Sequence, residues 1–116
     1  MANGVLFIGW KRPLPGREQQ AMDLLQKTLA YYEKAKSEGK IESFETVILA
    51  AHGGDLNGFI MVTGDAEKLS AFKREDVFVD YSTEADYCLD DFGIVEGYVG
   101  EGAMNQVSRW SKLIGK

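Results

Sequence analysis

The chain is 116 residues long, 45% hydrophobic and 27% charged, a length that predicts one domain over 1–116 with no room for a second core. That composition excludes a disordered chain. The net charge of -5, with no clustered Lys and Arg, excludes general binding to nucleic acid, which needs cations to displace counterions.

Residues 5–10, VLFIGW, form a short apolar run and predict the first strand; Pro13, Pro15 and Gly16 then punctuate a loop. Over 17–38, Met22, Leu25, Leu29 and Tyr32 recur at helical spacing, widened by Ala21, Leu24 and Ala35, and predict the first helix. Glu18 suits its positive start, Lys34 and Lys36 its negative end, and Gly39 its C-cap. The stretch 41–51 turns to strand-like composition. HGGDLNG then reverses the chain, and GFIMVTG is the third strand of a hairpin with a loose, glycine-rich tip. Asp65 caps a helix over 65–75. Residues 76–86 fit a second helical segment, although Val77 and Val79 also suit a strand. Residues 94–99 predict the fourth strand and 103–114 a terminal helix with Met104, Val107, Trp110 or Ser111, and Ile114 on one side.

Strand, helix, strand, strand, helix, strand is the order of the ferredoxin-like α+β fold: a four-stranded antiparallel sheet with both main helices on one face and, here, an extra C-terminal helix. The strands are apolar on both faces. Val5 and Phe7 oppose Leu6, Ile8 and Trp10, and Phe59 and Met61 oppose Ile60 and Val62. Helices cover one face only, so a homodimer is expected, with the uncovered face as its contact; the plain alternative is a monomer whose terminal helix and long loop cover that face.

The segments PGREQQAMDLL, GFIMVTGDAEKLSAF and FGIVEGYVGEG, in this layout, resemble the dimeric α+β barrel superfamily. Its members include antibiotic-biosynthesis-type monooxygenases, muconolactone-isomerase-like and YCII-related proteins, and small bacterial proteins of uncharacterised function. The resemblance implies the fold and a dimeric α+β barrel but no particular reaction; binding or transforming a small organic molecule is the functional expectation set beside it. The Asn, Trp and His set of the monooxygenases is not matched: Asn3 precedes the first strand, but His52 lies in the hairpin and neither tryptophan is in the second helix.

Histidine is the side chain that titrates nearest neutrality. His52, with Asp55 three residues on, is the candidate catalytic pair; the plain alternative is a polar turn. Trp10 beside Lys11 and Arg12 offers an aromatic floor and cations for an organic anion. Tyr32 on the helix stripe and Tyr87 among the aromatic residues of 78–87 complete the candidate ligand-binding set of Trp10, Arg12, Tyr32 and Tyr87. No cofactor or metal is expected. The glycines lack a nucleotide fingerprint, Glu84, Asp86, Asp90 and Asp91 lack calcium-loop spacing, and one His and one Cys are too few for zinc. Cys88, the one cysteine, excludes an intrachain disulfide and reads as buried and inert. No signal peptide or membrane span is seen, so a cytoplasmic location without a membrane partner is expected. The alternative function is a non-catalytic structural or regulatory dimer, its pocket filled by Phe7, Phe59 and Phe72.

Overall fold

The computed structural model describes residues 1–115. Its elements run β1 (Gly4–Trp10), β2 (Arg12–Pro13), α1 (Glu18–Ser37), β3 (Ser43–Ile48), β4 (Gly58–Gly64), α2 (Ala66–Lys73), α3 (Asp76–Cys88), β5 (Leu89–Asp90), β6 (Gly93–Tyr98) and α4 (Gly100–Ile114). The main sheet has the order β3-β4-β1-β6 with every neighbouring pair antiparallel, the ferredoxin-like topology. Residues 76–92 resolve into α3 and β5, the second strand of a two-stranded ribbon in which Arg12 lies opposite Asp90 and Pro13 opposite Leu89.

The expected α+β barrel is not formed. Strands β3 and β6 are the two outer strands of the four-stranded sheet and do not meet each other, so the sheet stays open. Closing a sheet on itself takes about eight tilted strands, and four leave two free edges.

Local chemistry sets the ends of the helices. Helix α1 stops in a Schellman motif. Lys40 N–H donates to Ala35 O at 3.0 Å and Gly39 N–H to Lys36 O at 3.1 Å, with Gly39 in the left-handed region at φ 76°. At α2, Asp65 Oδ2 accepts from Lys68 N–H at 3.1 Å. Asn3 Oδ1 accepts from Ala66 N–H at 2.8 Å, which ties the start of β1 to the same helix end.

Alternation along the strands sorts the two faces. Leu6, Ile8, Ile60 and Val62 are buried against Tyr32 and Ala35 of α1, Leu69 and Phe72 of α2, and Phe78 of α3. A smaller cluster of Ala21, Leu24, Ala85 and Cys88 seals α1 to α3. Burial, with the Glu84 charge adding to it, pushes the Cys88 thiol up, away from a reactive thiolate. On the opposite face, Phe7 stacks on Phe59 with ring centroids 4.7 Å apart, between Met61 and Val95, both exposed. Helix α4 packs chiefly along β6 and buries none of its residues. Among the described residues, no helix is long and apolar enough to cross a membrane.

Candidate ligand cavity

Between α1, α3 and the helix-covered face of the sheet lies a cavity of about 200 Å³. Helix α1 supplies Leu24, Leu25, Thr28, Tyr31 and Tyr32, and α3 supplies Phe78, Tyr81, Ser82 and Ala85. The sheet floors it with Ile8, Trp10 and Ile60, and the ribbon closes one end with Pro13 and Leu89. Met22 and Ile48 line it as well and are more than half exposed, so they stand at its rim.

Among the described residues, the wall holds no carboxylate, ammonium, guanidinium or imidazole. Its polar groups are hydroxyls and the Trp10 indole. Ser82 Oγ donates to Phe78 O at 2.8 Å and is spent on its own helix. Tyr31 Oη donates to Glu75 Oε1 at 2.8 Å, and Glu75 Oε2 meets Lys40 Nζ at 2.9 Å. Burial first, and the Glu75 hydrogen bond second, push the Tyr31 hydroxyl well above the ordinary phenol range. Tyr32 is 3% exposed, and burial alone pushes its hydroxyl up as far. Among the described residues, that hydroxyl has no hydrogen-bond partner, yet no polar side-chain atom is fully shielded without one. The Tyr32 oxygen therefore opens on space rather than on protein.

The Lys40 hydrogen bond, then the Tyr31 hydrogen bond, hold the Glu75 carboxyl below its usual range. A carboxyl depressed in the folded state adds stability above its unfolded pKa and loses it as pH falls through the folded value. Glu75→Gln is thus expected to lose less stability than the parent between about pH 5 and pH 3. Urea midpoints across that range measure the difference; parallel curves would show that Glu75 carries none of the acid sensitivity.

The residues expected from the sequence fall in different places. Trp10 and Tyr32 line the cavity. His52 is exposed in the β3–β4 hairpin, and both its ring nitrogens serve that loop: Gly54 N–H donates to Nδ1 at 3.2 Å and Nε2 lies 2.7 Å from Leu56 O. With Nδ1 accepting from Gly54, Nε2 is the ring nitrogen placed to donate to Leu56 O. Asp55 faces Lys11 Nζ at 3.4 Å rather than His52. Arg12 is exposed on the ribbon. Tyr87 is exposed under the Arg17 guanidinium, 3.8 Å from its ring centroid. Thr28 and Ser82 in the cavity wall carry no sequence signal, because small hydroxyl residues on a helix are ordinary surface choices.

Neither a protein-family model nor a curated protein matches the sequence. Solved structures do share its fold. A dimeric ferredoxin-like protein of unknown function from Jannaschia sp. CCS1 superposes with a TM-score of 0.64 at 12% identity, covering 83% of this chain and 99% of that one. The hydroxynitrile lyase from Passiflora edulis gives 0.62 at 10%, covering 84% and 94%. SnoaB, a cofactor-independent oxygenase from Streptomyces nogalater, gives 0.51 at 14%, covering 85% and 93%. About a sixth of this chain has no counterpart in them.

Proposed function

We propose that this protein holds a neutral, mainly apolar small molecule in the α1–α3 cavity and works as a homodimer. The observation that carries the reading is Tyr32, a residue only 3% exposed that lines an apolar wall and whose hydroxyl, not fully shielded, has no hydrogen-bond partner among the described residues. A charged ligand would lose its hydration there with no countercharge to replace it. A neutral ring or chain with one hydrogen-bond acceptor would bury its apolar body and give the Tyr32 proton a partner. The cavity lies below the roughly 300–1,000 Å³ of drug-sized sites, which points to a ligand of about one ring. Pairing is supported by the uncovered apolar sheet face and by the dimeric protein of the same fold. Among the described residues, the wall's only ionisable groups are tyrosines, two of them with hydroxyls pushed well above the ordinary range, so binding is favoured over acid–base catalysis inside the cavity. This reading uses Trp10 and Tyr32 and leaves His52, Asp55, Arg12 and Tyr87 outside the cavity.

The test compares acetophenone with ethylbenzene, a near-isostere that lacks the acceptor oxygen, by calorimetric titration. Acetophenone is expected to bind about 3- to 10-fold more tightly, the worth of one net hydrogen bond. Tyr32→Phe is expected to erase that preference and leave the fold intact, since the hydroxyl bonds to nothing in the protein. Failure of both compounds to bind at millimolar concentration would remove the proposal.

A further inference from the structure

Two apolar surfaces of this chain are uncovered. One is the sheet face of Phe7, Phe59, Met61 and Val95. The other is α4, whose Met104, Val107, Trp110 and Ile114 recur every three or four residues and all stay exposed. A 15-residue helix is marginal alone, and an apolar stripe of this kind marks a helix that packs on something. Its own chain does not provide that contact. Val99 N–H donates to Asn3 O at 3.2 Å and a side chain at Gly102 would strike the same oxygen, so the first turn is pinned beside the start of β1. Gly100, at φ 55°, makes the bend at which the chain leaves β6. The rest of the helix buries nothing, in a molecule 53 Å long and 22 Å thick.

We propose that α4 is an arm exchanged between two copies, its Met104–Val107–Trp110–Ile114 stripe lying across the open sheet face of the second copy. The inference rests on the pairing proposed above and names what lies in the contact. The dimensions agree: the helix is about 22 Å long and β1 about 23 Å. A stable interface needs on the order of 800 Å² per copy, and each copy brings both an exposed arm and an exposed face to the contact. A two-fold axis closes the arrangement, because each copy carries one arm and one acceptor face and none is left over.

The test uses the full-length chain. Sedimentation equilibrium of the parent is expected to give a dimer. Trp110→Glu is expected to raise its dissociation constant at least 100-fold with an unchanged far-ultraviolet spectrum, since Trp110 is exposed in its own chain. Val107→Cys combined with Met61→Cys is expected to give a disulfide-linked dimer on a non-reducing gel. A parent dimer that Trp110→Glu leaves intact, or a double-cysteine chain that forms no band at dimer mass, would overturn the arm and leave the pairing standing. A monomeric parent would overturn both. The cavity titration depends on neither outcome.

Discussion

Phe72→Ala is expected to remove about 3–5 kcal/mol of folding stability, enough to bring a domain whose total is about 5–15 kcal/mol close to unfolding. Phe72 is 1% exposed at the point where all three sheet-covering helices meet. Its ring stacks on Tyr31 at 5.2 Å and meets Phe78 at 5.3 Å and Tyr32 at 6.0 Å edge-on. Truncation thus loses the transfer energy of a buried ring, its aromatic pairs and the atoms that fill the space. Collapse cannot recover much of this, because Tyr31, Tyr32 and Phe78 already wall a cavity on their other side. Urea unfolding gives the measurement. Phe72→Leu, which keeps most of the volume, should cost much less, and Phe59→Ala on the open face should cost less as well, because that ring is only partly buried. A loss below about 1 kcal/mol for Phe72→Ala would mean that the three helices do not depend on this ring.

Much of this core was legible from spacing. Tyr32 and Ala35 lie on the helical stripe, Leu6 and Ile8 alternate with Val5 and Phe7, and Asp65 and Gly39 mark helix ends by side-chain chemistry that acts within a few residues. What spacing could not reveal is the gap between α1 and α3. It depends on how far two helices stand apart over the sheet, which is set by the volumes of Leu24, Tyr31, Phe78 and Tyr81 together. Met22 illustrates the limit: it keeps the helical period yet stands half-exposed at the cavity rim. The β2–β5 ribbon was illegible because two residues per strand carry no period. The barrel came from resemblance and from apolar strands, and apolar strands show only that a face needs cover. The hairpin around His52 and Asp55 reads as chemistry in sequence because those residue types do chemistry elsewhere. In the fold, hydrogen bonds from Gly54 and to Leu56 hold His52, while Lys11 faces Asp55.

Gly58→Ala is expected to weaken binding of a cavity ligand tenfold or more. Gly58 lies opposite Trp10 in the β1–β4 register, and the indole lies over the bare Cα. A Cβ at 58 would stand 2.7 Å from Trp10 Cζ2 and 2.9 Å from Cε2, distances at which one group must move. The ring is rigid and Gly58 is buried at the start of β4, paired to strands on both sides, so Trp10 must leave its seat and the cavity floor goes with it. Forcing a side chain out of a packed position costs about 1–3 kcal/mol, so the variant should stay folded and remain measurable. Trp10 emission in a Trp110→Phe background should shift, and acetophenone affinity should fall in parallel. Trp10→Phe in the same chain provides the decisive control. A smaller ring can share the space with the new methyl, so the double variant should regain stability that Gly58→Ala loses, a coupling that only residues in contact display. Unchanged emission and affinity in Gly58→Ala would place Trp10 outside the ligand site and leave Tyr32 without its floor.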